Sequence, residues 1–185
     1  YLWAAGVDFT LGDSAVLGIG GGYLENRMTF DQFNGAAETD GYQIGVYGAY
    51  DPGTFYLKAS ANYSMLDTES VRAISFPGFV GGRTFSEQDA DILALGAELG
   101  YRLNLGGFTL TPYAGIDYAK VEVDDFAEDG VPGADLTIAS IDEDFTTSEL
   151  GAKLGGQFGW VYPEVKAAWR HSFDADPGLF GAQFS

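Results

Sequence analysis

From Phe55 to Met65 the chain reads FYLKASANYSM. Every second residue is apolar: Phe55, Leu57, Ala59, Ala61, Tyr63 and Met65. Between them stand Tyr56, Lys58, Ser60, Asn62 and Ser64. Successive side chains of a strand point to opposite faces, so the stretch asks for oil on one side and water on the other. The same alternation recurs along the chain, for example at Tyr42 to Tyr50, Leu93 to Tyr101, Phe108 to Tyr118, Leu150 to Trp160 and Pro163 to Phe173. Period two in a vocabulary of Tyr, Phe, Val and Leu is a strand signature. Eight strands are expected and no segment carries a convincing helical period.

The links between these segments alternate in length. Short ones fall at 12–14, 51–54, 105–107 and around 161–162; long ones at about 24–41, 66–91 and 120–147. Asp51-Pro52-Gly53 and Leu105-Gly106-Gly107 have turn chemistry, because proline presets φ and glycine accepts positive φ. In an up-and-down meander alternate links lie at opposite ends. All long loops therefore gather at one end, the polarity of outer-membrane barrels with short periplasmic turns and long external loops. Loops centred on Phe33, Phe79 and Gly130 are expected outside the cell.

Charge follows the same division. The chain carries 27 acids against 9 bases, a net charge of −18. A surplus of that sign argues against nucleic acid as a partner. The long links and the tail hold most of the acids, while ten charges lie in strands on the face opposite the apolar stripe: Asp8, Lys58, Glu98, Arg102, Asp117, Glu149, Lys153, Glu164, Lys166 and Arg170. A lipid-facing Lys or Arg at mid-membrane costs roughly 2–4 kcal/mol, a penalty that would select such a charge-free face. These ten are the expected lumen-facing charges.

Strand length agrees. Eleven residues from Phe108 to Tyr118, at ~3.3 Å each and a tilt near 40°, climb about 28 Å, close to the ~25 Å apolar band of such barrels. After Tyr118 the phase breaks, with Val121 and Val123 on the other parity. Aromatic residues mark the stripe ends: Tyr1 and Phe9, Tyr42 and Tyr50, Phe55 and Tyr63, Phe108 and Tyr118, Phe158 and Trp160, Trp169 and Phe173. Such rings form the interfacial belts of membrane proteins. The fold class read from these features is all-β, an antiparallel up-and-down transmembrane barrel, closed because unpaired edges cannot face hydrocarbon.

The blocks VLGIGGGY, GYQIGVYGAYDPGTFYLKASANYS, AELGYRLNLGGFTLTPYAGIDY, DDFAEDG, SELGAKLG and WRHSF resemble, in order and spacing, the translocator β-domain of bacterial autotransporters, the type V secretion systems. The resemblance covers nearly the whole chain. It implies a twelve-stranded barrel threaded by an N-terminal helix, with GVDF similar to the third strand and WRHSF to the tenth. On that alignment 1–185 is a barrel domain incomplete at both ends. The implied partners are outer-membrane lipid, a passenger domain with its linker helix, and the barrel-assembly machinery.

Competing chemistry is thin. The chain has no cysteine and one histidine, which removes thiolate nucleophiles, disulfides and histidine metal clusters. Leu17-Gly18-Ile19-Gly20-Gly21-Gly22 lacks the spacing of a phosphate loop, and Gly12-Asp13-Ser14 is ordinary turn composition. His171 lies between Trp169 and Phe173 and reads as a belt residue. The acids at Asp124, Asp125, Glu128, Asp129 and at 142–144 show no calcium-loop pattern and read as solvated loops. Neither cofactor nor metal nor catalytic residue is expected.

Two functions remain: a translocator barrel that brings a passenger to the cell surface, or a complete eight-stranded structural or adhesive barrel with acidic external loops. An eight-stranded barrel is filled by its own side chains. The inward glycines, among them Gly18, Gly100, Gly151, Gly155 and Gly159, leave room and favour a wider barrel. The start at Tyr1 inside a strand and the tail 174–185 lead to the same expectation, a chain that closes fully only with further strands.

Overall fold

The structure is a computed structural model that describes residues 1–30, 35–75, 78, 81–173 and 182–184. It contains β1 (Leu2–Leu11), β2 (Ala15–Phe30), β3 (Gly35–Tyr50), β4 (Phe55–Ile74), β5 (Gly82–Tyr101), β6 (Leu103–Leu105), β7 (Phe108–Val123), β8 (Phe126–Ala127), β9 (Leu136–Ile138), β10 (Ile141–Gly156), β11 (Glu164–Ser172) and β12 (Ala182–Phe184). The main sheet runs β1-β2-β3-β4-β5-β7-β10-β11, every pair antiparallel. β6 continues β5 beyond Arg102 along β7, and β12-β9-β8 form a small second sheet. This is the expected meander, and strand order in the main sheet follows sequence. Gly12, Gly53 and Gly106 turn the chain at the short end with φ of 64°, 98° and 72°.

Several strands run further than their alternation. β4 and β5 have 20 residues each. At ~3.3 Å per residue and ~40° tilt they rise about 50 Å, twice the apolar band. Residues 66–74 and 82–91, expected as loop, are therefore strand standing clear of the lipid. The same holds for 24–30, 35–41, 120–123 and 141–147. Outside the membrane the outward face meets water in place of lipid, so the ladder persists while its oil-and-water period disappears. The expected loop centres Phe33 and Phe79 lie outside the described residues; Gly130 sits between β8 and β9.

The last short link also differs. β10 ends at Gly156, and the chain turns through Gly159, at φ 62°, before β11 begins at Glu164. Phe158 bridges Val161 across that turn. Phe158 and Trp160 therefore lie beyond the strand they were expected to end, with Trp160 96% exposed.

Burial is inverted relative to a soluble domain. Among the described residues the buried hydrophobic ones are Tyr56, Tyr113 and Val131, while Trp3 and Val165 are each 71% exposed. Leu17, Ile44, Val46, Leu57, Leu95, Leu99, Ile116 and Leu150 are all exposed on one face. A continuous apolar surface of this extent needs lipid to cover it.

Candidate functional site: the inner wall

Register brings the inward residues into rows. Lys58, Glu98, Gly115, Glu149 and Arg170 stand side by side across β4, β5, β7, β10 and β11. The adjacent row is Tyr56, Gly100, Tyr113, Gly151 and Ala168. A sequence repeat underlies this pairing: Glu98-Leu99-Gly100 and Glu149-Leu150-Gly151 each receive a tyrosine from the preceding long strand.

Each tyrosine lies on the glycine and reaches the acid. A Cβ added to Gly100 would stand 2.5 Å from Tyr56 Cζ, and one added to Gly151 would stand 2.6 Å from Tyr113 Cζ. The Tyr56 hydroxyl donates to Glu98 Oε1 at 2.7 Å, and the Tyr113 hydroxyl to Glu149 Oε1 at 2.5 Å. Tyr47 covers Gly18 and donates to Asp8 in the same manner, and Tyr162 covers Gly155. The room expected from these four glycines is thus filled by rings packed along the wall. Gly159, expected inside, is in the turn.

Cations complete the wall. Lys153 Nζ donates to the Tyr56 hydroxyl at 3.0 Å and pairs with Glu98 at 3.2 Å. It also lies 4.6 Å from the Tyr113 ring centre. Lys166 and Arg170 each hold Glu149 at 2.8 Å, one on either oxygen. Lys58 and Arg102 lie 5.0 and 5.2 Å from the Tyr56 ring centre. Arg102 forks onto Asp51 at 2.5 and 2.7 Å, a bidentate arrangement that ties the wall to the β3–β4 turn. The Arg102 guanidinium holds the Asp51 carboxyl down at about 2. Asp117 faces Gly96, and Glu164 stands near Arg102, Lys153 and Tyr162.

All ten expected lumen charges are therefore on one face, and the structure joins Glu98 to Lys153 and Glu149 to Lys166 and Arg170. The partners that sequence reasoning missed are Tyr47, Tyr56, Tyr113, Tyr162 and Asp51. The signal was present in the two Glu-Leu-Gly repeats and in tyrosines at polar parity. Among the described residues no three His, Cys, Asp or Glu side chains converge as a metal site. Asp51, Glu98 and Glu149 are thus held in ion pairs with Arg102, Lys153, Lys166 and Arg170, and Lys58 lies against the Tyr56 ring.

The outward face carries the aromatic ends. Tyr50 and Phe55 meet edge-to-face at 5.7 Å beside the β3–β4 turn, and Phe108 meets Phe158 at 5.6 Å. Tyr42 leans on Tyr23 at 5.1 Å towards the long end. There the Tyr118 hydroxyl donates to Asp144 at 2.6 Å, and Tyr1 donates to Glu25. Apolar ring below and polar tip above is the interfacial arrangement. His171 stacks on Trp169 at 5.4 Å and meets the edge of Phe173 at 4.7 Å.

A family model for the autotransporter β-domain matches residues 1–185, the whole chain. The chain belongs to the autotransporter β-domain family. The sheet is similar to the translocator domain of autotransporter NalP from Neisseria meningitidis, with a TM-score of 0.71 over 95% of this chain and 61% of that one, at 18% identity. Among curated relatives, outer membrane protein B of Rickettsia rickettsii is 28% identical over 177 residues, and an extracellular serine protease of Serratia marcescens is 24% identical over 169. The chain spans 11% and 16% of the length of those two proteins. As an autotransporter β-domain it resides in the bacterial outer membrane, with its apolar face in lipid and its long loops outside.

Proposed function

We propose that this domain is the outer-membrane translocator of a larger protein and carries a passenger segment to the cell surface. The observation that supports this most is the strict separation of faces. One side of the sheet is exposed hydrocarbon, and the other is a wall of paired charges and tyrosines running across five strands. Such a wall makes a hydrophilic passage through lipid and catalyses nothing; the work is positional. The passenger, a linker helix inside the lumen and the barrel-assembly machinery are the partners of this reading.

The sheet has two free edges among the described residues, the outer sides of β1 and β11. In hydrocarbon each unpaired backbone group costs several kcal/mol. A wider barrel in which further strands pair with both edges relieves that cost, and we include those strands in the proposed domain.

The test is surface display from the whole protein. Antibody against an epitope placed in the passenger should stain intact cells. A deletion of 108–156, which removes the centre of the wall, should leave the epitope in the periplasm. Surface staining that survives the deletion would refute the reading.

A further inference from the structure

The external end of the wall is covered by its own chain. After Val123 the backbone leaves β10 but stays on the edge of β5. The Asp124 N–H donates to Asp89 O at 3.0 Å, and Asp129 and Phe85 exchange both backbone hydrogen bonds at 2.9 Å. The chain then turns away from that edge. The N–H groups of Ala134 and Asp135 both donate to Val131 O, at 2.9 and 3.1 Å, and Val131 N–H donates to Asp135 Oδ1 at 2.8 Å. This turn lies over Gly82 and Thr84, which with Ser86 share the inward parity of Glu98 on β5. Thr84 is left 1% exposed and Ser86 7%. Gly130, at φ 149°, allows the crossing: a side chain there would run into the Arg83 carbonyl.

The covering segment is fastened by one cation. Arg72, inward on β4, donates from Nε to Glu128 at 2.9 Å and grips the second oxygen with Nη2. The same Nη2 reaches Ala134 O at 3.2 Å, and Glu128 Oε2 also accepts the Leu136 N–H at 3.0 Å. Arg72 holds the Glu128 carboxyl below its ordinary range. Five acids, Asp124, Asp125, Glu128, Asp129 and Asp135, crowd this stretch. Mutual repulsion favours an outward course into water, and the bidentate grip opposes it.

We propose that residues 128–136 form a fixed cap over the inner wall of the external mouth, and that the Arg72–Glu128 pair sets the aperture through which solute or polypeptide leaves the lumen. The idea of a passage rests on the translocator reading; the position of the cap does not. The two are separable because the cap is tested by a crosslink and a conductance, and export by surface staining.

The chain has no cysteine, and a Cβ built on Gly82 lies 3.8 Å from Val131 Cβ, the usual disulfide separation. In the whole protein in outer membranes, G82C/V131C should oxidise spontaneously to an intramolecular disulfide. In planar bilayers, R72Q and E128Q should each raise single-channel conductance, whereas D125N, on the same loop outside the grip, should conduct like the parent. R72Q/G82C/V131C should conduct like the parent when oxidised and more when reduced, a comparison made within one folded protein. Failure of the crosslink to form would overturn the cap. A crosslink that forms while oxidised and reduced R72Q/G82C/V131C conduct alike would overturn the aperture.

Discussion

Replacing Gly100 by alanine tests whether the tyrosine rings hold the wall. The new Cβ would lie 2.5 Å from Tyr56 Cζ and 2.7 Å from its hydroxyl oxygen, so the ring must leave its place. Leaving breaks the 2.7 Å bond to Glu98 and the 3.0 Å bond from Lys153. A hydrogen bond to a charged group contributes roughly 1.5–3 kcal/mol. If the ring stays and the backbone yields, overpacking costs a similar ~1–3 kcal/mol. Alanine returns ~0.4–1 kcal/mol by restricting the unfolded chain. The net expectation is a loss of about 2 kcal/mol, read as a lower urea midpoint in lipid vesicles by tryptophan fluorescence. Gly107, with nothing within 4 Å of an added Cβ, is the control and should be neutral. The decisive measurement is the double-mutant cycle. Once Tyr56→Ala has removed the ring, Gly100→Ala should cost nothing further. An equal loss from Gly100→Ala with and without the ring would refute the reasoning.

Leu95→Arg puts a charge in the lipid-facing stripe and should lower folding stability in vesicles by roughly 2–4 kcal/mol, with Lys58→Gln milder; equal damage would refute the assignment of the two faces. The Asp51 carboxyl is depressed in the folded state, so its pairing with Arg102 contributes stability above the unfolded carboxylate range. That contribution fades as pH falls from about 4 to about 2, and Asp51→Asn should flatten this part of an acid-denaturation curve. Two rows of like charge cross the external strands, Glu38–Glu69–Glu87 and Asp40–Asp67–Asp89. Opposed like charges are destabilising and screened by salt, so Asp67→Asn should raise the low-salt melting temperature and lose that advantage in 1 M NaCl.

Alternation and turn chemistry were enough to place the strands in order, assign their two faces and separate the short end from the long one. Those are local properties: residue parity decides which side a chain meets, and Pro52, Gly53 and Gly106 decide where it turns. The same logic put Lys58, Glu98 and Lys153 on one wall. It misjudged strand length, because Asp67 to Ile74 and Gly82 to Asp91 stand clear of the lipid and show no apolar period to read. Nor did it find the site's pairings. Tyr56 and Lys153 are 97 residues apart and meet only because successive registers across β5, β7 and β10 bring their rows together. Register is a relation between strands, carried by no single segment. The proposed cap depends on it too: an acidic stretch that by composition belongs in solvent meets, beside β5, an arginine that the fold delivers from another strand.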